Sequence, residues 1–236
     1  MNTIKGSGSI DLREQEVSSF IYLHVAINAK ENGQPVQVEL HPSDEEKVVF
    51  ETDANLVRYF SAVNLGRTLF VASDAGYRNI DFTLLKIKVY LRQVGRIQIT
   101  CDNFKLTTAK QLSSPMPLEL KVQGVGNANI ALEVPVLKAL FQVEGNISLL
   151  GKCEEAQLRT HSVGNLMAKD FVTQKLKLKN MSEGFLEVHA EKSIEIFHGG
   201  EGNVHYYGNA RLNDVVQRGD GFIQHKEMIK EEILKV

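Results

Sequence analysis

The chain has 236 residues, 43% of them hydrophobic, with 27 Lys and Arg against 29 Asp and Glu and a net charge of −2. That length suits one or two domains with a sizeable core, and the even charge balance argues against a nucleic-acid or anionic-membrane partner, which would want a clustered basic surface. No apolar run approaches the ~20 residues of a membrane-spanning helix.

Taken in order, the chain opens on the polar, Gly-rich Met1-Asn2-Thr3-Ile4-Lys5-Gly6, which is not a signal peptide. It reads either as a cytoplasmic start or as a mature region without its leader. Alternating apolar residues predict strands over 20–27, 36–40 and 47–51. Asp53 stands as an N-cap candidate before a helical turn or two ending near Phe60. Further strands are expected over 68–71 and 85–91. No fixed period holds up to residue 90, so 1–90 reads as an irregular N-terminal β region, either a cap or a small lobe. Short runs at 97–99 and 104–106 suggest an irregular first coil, and 113–117 (Ser-Ser-Pro-Met-Pro) an insertion before regular repeats begin.

The repeats occupy the second half, within a β-helix region placed at 91–225. At a step of 19 residues stand Gly126, Gly145, Gly164, Glu183, Gly202 and Gly221. Two positions later the residues are Ala128, Ile147, Leu166, Phe185, Val204 and Ile223, all apolar. A constant period carrying both a turn and a core position marks a solenoid. Each unit alternates like a strand, turns through Gly-Asn, and alternates again. One such coil cannot bury its own apolar side chains, so coils must stack in parallel at ~4.8 Å. Asn127, Asn146 and Asn165 would then form an amide ladder. A second column, Leu120, Ala139, Leu158, Lys177, Ile196 and Val215, contains one charged residue flanked by Leu176 and Leu178. That predicts a one-residue slip, offset by a longer turn at Glu183-Gly184. An evenly spaced β-sandwich is the rival fold, but it would not hold turn and core columns in a fixed phase. The fold class expected is all-β: a single-stranded parallel β-helix with ~19-residue coils. Residues 226–236, with apolar positions at 229, 233 and 236, suit a short amphipathic segment capping the open end.

These motifs carry a family resemblance. Gly6-Ser7-Gly8-Ser9-Ile10, Val17-Ser18-Ser19-Phe20, the run from Asp44 to Leu56, the Gly-Asn turns, Tyr206-Tyr207-Gly208-Asn209 and Gly219-Asp220-Gly221-Phe222-Ile223 together resemble the head GIN domain family of auto-transporter adhesins. The resemblance spans residues 4–225. It implies a right-handed β-helix and an extracytoplasmic address (periplasm, outer membrane or cell surface), with any lipid anchor in a leader this chain does not carry. It brings no catalytic residues.

The chemistry in the residues themselves is sparse. A glycosidase or lyase on a β-helix needs acids and bases converging from neighbouring coils. The outward candidates Glu119, Lys121, Glu144, Lys177, Lys179, Glu187 and Glu195 show no paired-carboxylate pattern and read as a solvated face. His189, His198, His205 and His225 crowd the last coils, but without HxH or HExxH spacing they define no metal site. The loop from Gly199 to Asn203 lacks the Lys-Ser/Thr of a phosphate cradle. Tyr206, Tyr207 and Phe222 could stack on sugar rings or pack as a cap. Cys101 and Cys153 show no CxxC or zinc spacing, leaving a disulfide or two separate buried thiols. The expectation is a non-enzymatic binding or adhesion scaffold for a glycan or cell-surface protein, with no cofactor or metal. A carbohydrate-active enzyme and a purely structural presenting module are the alternatives.

Overall fold

The computed structural model describes residues 3–27, 34–74 and 79–227, and they form a nearly all-β solenoid. The long strands Leu118–Glu144, Ile147–Thr160, Leu166–Asn180 and Leu186–His198 bend around corners and pair in parallel with the coils above and below. Alternate side chains point inward, as strand geometry requires. The inward columns are dominated by Leu, Ile and Val, nearly all fully buried.

The repeat departs from 19 at one place. Ala128 stacks on Ile147 and Ile147 on Leu166, but Leu166 then meets Leu186 and Leu186 meets Val204. One coil therefore has 20 residues at this position and the next has 18. Leu186, not Phe185, takes the core column, and Gly184, not Glu183, takes the Gly column. The slip expected at Lys177 is present: Leu158 pairs with Leu178 and Leu178 with Ile196, which turns Lys177 outward. Register shifts after Ser148, Ala168 and Thr173 absorb the difference.

The Gly column has a steric cause. A Cβ on Gly145, Gly164, Gly184 or Gly202 would overlap the carbonyl of the glycine one coil below. Beside it runs the expected amide ladder. Asn127 Oδ1 accepts the Asn146 N–H at 2.9 Å, Asn146 Oδ1 accepts the Asn165 N–H at 3.3 Å, and Asn165 Oδ1 accepts the Phe185 N–H at 2.8 Å.

Parallel stacking also continues below residue 91, in an order the chain does not follow. Strand Tyr22–Ile27 lies between Thr68–Ser73 and the first half of Arg96–Thr108. Strand Val36–Pro42 lies between Leu85–Leu91 and the second half of Arg96–Thr108. The coil made first is thus enclosed by two made later. Antiparallel strands close this end: Phe60–Leu65 on Thr68–Ser73, Lys47–Asp53 on Leu85–Leu91, and Ile10–Glu16 outermost. A solenoid end otherwise leaves a free parallel edge.

Asp53 is not a helix cap. The only helical turn nearby is the short 3-10 segment Val57–Tyr59, whose cap residue is Leu56 with no side-chain bond. The fully buried Asp53 carboxylate instead accepts the N–H groups of Gly8 and Thr83, each at 2.7 Å, tying the N-terminal turn to the cap. The capping segment expected over 226–236 lies outside the described residues from 228 onward.

A candidate binding face

The first sheet of each coil presents two outward columns side by side. One runs Tyr22, Arg96, Glu119, then Lys138, Gln157, Lys177, Glu195 and Asp214. The other runs His24, Gln98, Lys121, then Leu140, Arg159, Lys179, Phe197 and Val216. Successive members sit roughly 4.8 Å apart, the spacing of paired strands. The result is a long open face with a shallow depression of about 250 Å³, lined by Gln157, Arg159, Lys177, Lys179, Phe197 and Asp214 among others.

Charge on this face is partly paired. Arg96 holds Glu119 at 2.7 Å, Lys177 holds Glu195 at 2.9 Å, and at the margin Lys175 holds Glu155 at 2.7 Å. Lys179 lies over the Phe197 ring at 5.4 Å, and Arg218 approaches the same ring at 5.8 Å. Lys121, Lys138 and Arg159 make no ion pair among the described residues. His24 is held below its ordinary value by burial and, secondly, by Lys121.

Of the seven outward candidates in the sequence, the fold brings Glu119, Lys121, Lys177, Lys179 and Glu195 onto this one face. Glu144 stands at a corner beside Val163 and Met181. Glu187 lies on another sheet and accepts the Tyr207 hydroxyl at 2.7 Å. Glu119 and Glu195 are four coil steps apart, roughly 19 Å, well beyond the ~5–9.5 Å that glycoside hydrolysis uses. Glu195 does neighbour Asp214. However, Glu195 is bound to Lys177 and Asp214 is exposed, so neither has the apolar enclosure of a general acid. Lys138, Arg159 and Phe197 were missed as site residues. The two 19-residue steps from Lys121 through Leu140 to Arg159 were the available signal.

The histidines disperse. His198 is fully buried in a polar ladder, accepting at Nδ1 from Asn180 Nδ2 at 3.0 Å and donating from Nε2 to the Gly221 carbonyl at 3.0 Å. His189 lies between the Lys169 carbonyl and the Glu191 carboxylate. His205 is wedged against Phe185 and Phe222, and burial, then Lys226, lowers its proton affinity. His225 stacks on Tyr206 at 4.8 Å. No group of three His, Cys, Asp or Glu among the described residues could hold a metal ion. Tyr206 packs against the core and Tyr207 is tethered to Glu187, which leaves Phe222, 49% exposed, as the ring of the three open to a ligand.

A larger groove of about 770 Å³ opens on another side, past the 113–117 insertion, with Gln111, Glu133, Pro135, Lys152, Cys153 and Val172 in its walls. Within it Lys152 binds Glu133 at 2.8 Å and Gln111 binds the same carboxylate at 2.6 Å, while the exposed Glu154 makes no ion pair among the described residues. Both thiols are free and buried. Burial pushes Cys101 up to about 12 and Cys153 up to about 11, so neither is a nucleophile at neutral pH.

Residues 30–210 match a family model described as "Putative auto-transporter adhesin, head GIN domain". Among solved structures, a "putative adhesin" from Bacteroides fragilis NCTC 9343 superposes on 94% of this chain and 100% of its own, with TM-score 0.84 and 20% identity. A "putative lipid binding protein" from Parabacteroides distasonis ATCC 8503 covers 95% of this chain and 100% of its own, with TM-score 0.70 and 18% identity. A "putative adhesin" from the same organism gives 95%, 100%, 0.70 and 19%. At these identities the likeness is one of fold. No curated protein matches the chain. No helix among the described residues is long and apolar enough to cross a membrane.

Proposed function

The chain belongs to the head GIN domain family, and on that premise we propose that it is a non-enzymatic extracytoplasmic scaffold. It binds a glycan or a surface protein through the outer face of its first sheet. The observation that carries this reading is the continuous open face from Arg96 to Asp214, whose side chains are ranked in register by the coils behind them. A rigid sheet presents such groups without the entropy cost of ordering a loop. Enzymes of this kind of fold enclose converging acids and bases, and the carboxylates here are spread along the solenoid or engaged by lysine. The solved relatives named as adhesins accord with binding as the role.

The test is a glycan array and a surface-protein panel, run beside product analysis on the same polysaccharides. The expected result is retention of a ligand with no shortening of it, lost on substitution within the face. Release of shortened or unsaturated products would replace the reading with a carbohydrate-active enzyme.

A further inference from the structure

We infer that the ligand of this face is an acidic polysaccharide, held by Lys121, Lys138, Arg159, Lys177 and Lys179. The inference rests on the binding-face reading above and adds the chemical class of what is bound.

Elsewhere on the described surface some cations pair with acids, as Lys152 with Glu133 and Lys47 with Glu14 do, and others such as Lys105, Lys110 and Lys169 stand singly, so it is the clustering on one face that sets the belt apart. A merely solvated face disperses its cations among acids, since mixed charge keeps self-repulsion small. Here Lys121 and Arg159 stand two coil steps apart in one column, and Lys138 stands on the coil between them in the next column. None of the three has a carboxylate within 4.0 Å among the described residues. With Lys179 one coil further, beside Lys177, which also holds Glu195, the belt covers about four coils, roughly 14 Å along the solenoid. The whole chain has a net charge of −2, so the local excess is a matter of placement and not of composition. Bringing these cations together costs repulsion that a polyanion would remove.

The neighbours fit sugars. Gln98 and Gln157 interleave with the cations and offer both donors and acceptors to hydroxyl groups. The half-buried Phe197 ring closes one end of the belt and can meet the apolar face of a pyranose. A polynucleotide is disfavoured because the belt is a short run of cations beside the ring of Phe197, without the row of aromatic rings on which successive bases stack.

The experiment uses the full chain against immobilised polygalacturonate (carboxylate only), heparin (sulfate and carboxylate) and neutral dextran, with duplex DNA and phosphatidylglycerol vesicles alongside. The expected result is binding to one or both acidic polysaccharides that weakens between 50 and 200 mM salt and is absent for dextran. Which of the two is retained separates carboxylate from sulfate as the group recognised. The triple variant Lys121→Gln/Lys138→Gln/Arg159→Gln should lose on the order of 10- to 100-fold in affinity with an unchanged Tm. Lys105→Gln/Lys110→Gln/Lys169→Gln, equal in charge but off this sheet, should bind as the parent does. Equal loss in both variants, tighter binding of DNA or vesicles, or an unaffected belt variant overturns the inference. If neutral glycans or proteins bind at this face while polyanions do not, the inference fails and the binding-face reading stands. If nothing binds, both fail.

Discussion

Asn180 donates from Nδ2 to Nδ1 of His198 at 3.0 Å inside the coil stack, where neither side chain has any exposure. Asn180 Oδ1 also accepts from the Thr160 hydroxyl at 2.9 Å and from the Ser182 N–H at 2.8 Å. Replacing Asn180 with Ala leaves all three groups without their partner in a region water does not reach. The expected loss is about 2–5 kcal/mol in urea unfolding. Asn146→Ala, in the exposed amide ladder, should cost under about 1 kcal/mol, because water can replace the lost bonds. Equal losses at the two sites would refute this contrast.

Gly164 sits where a Cβ would overlap the Gly145 carbonyl, whereas a Cβ on Gly95 would meet nothing nearer than 3.8 Å. Gly164→Ala should therefore separate two coils and lower stability by more than about 3 kcal/mol, with Gly95→Ala within about 1 kcal/mol of the parent. Chemical denaturation of the two variants decides it.

Asp53 gives a pH signature. Burial by itself would raise its carboxyl, but the N–H groups of Thr83 and Gly8 outweigh burial and hold it below its ordinary value of 3.8. A depressed folded value means the contribution is complete above the unfolded value and disappears as pH falls through the folded one. The Tm gap between the parent and Asp53→Asn should be widest near pH 6 and shrink towards pH 2. A gap that is constant or grows on acidification would contradict the assignment.

The buried thiols predict silence towards a disulfide-exchange reagent. At pH 8 the folded chain should show no rapid labelling at Cys101 or Cys153, and two thiols per chain should appear in guanidinium. Fast labelling of either in the folded chain would show that its burial is not maintained.

Much of the solenoid was legible because stacking imposes identity of role at a fixed step, and Gly145, Asn146 and Ile147 recur in kind one coil on at Gly164, Asn165 and Leu166. The step itself misplaced Phe185, because a 20-residue coil followed by an 18-residue coil restores the phase by Val204 and hides the excursion. Tyr22–Ile27 and Val36–Pro42 were legible as strands, but their place in the stack was not, for a different reason. Their neighbours in space come later in the chain, so no sequence period connects Tyr22 to Arg96. Asp53 looked like a cap because it precedes a short helical turn, but its partners Gly8 and Thr83 lie 45 and 30 residues away. The belt was visible only in part, since Lys121 and Arg159 share a column while Lys138 joins them across a coil.

The position of the outward side chains on the binding face from Lys177 onward follows from the 20- and 18-residue coils, so unfolding of Leu186→Ala beside Phe185→Ala is the most direct measurement. Leu186 fills the buried column between Leu166 and Val204, and its truncation should cost about 2–5 kcal/mol. Phe185 lies outside, edge-on to His205 at 4.7 Å, and its truncation should cost no more than about 1.5 kcal/mol. A larger loss at Phe185 than at Leu186 would mean a uniform 19-residue register, and the face would have to be redrawn from Lys177 onward.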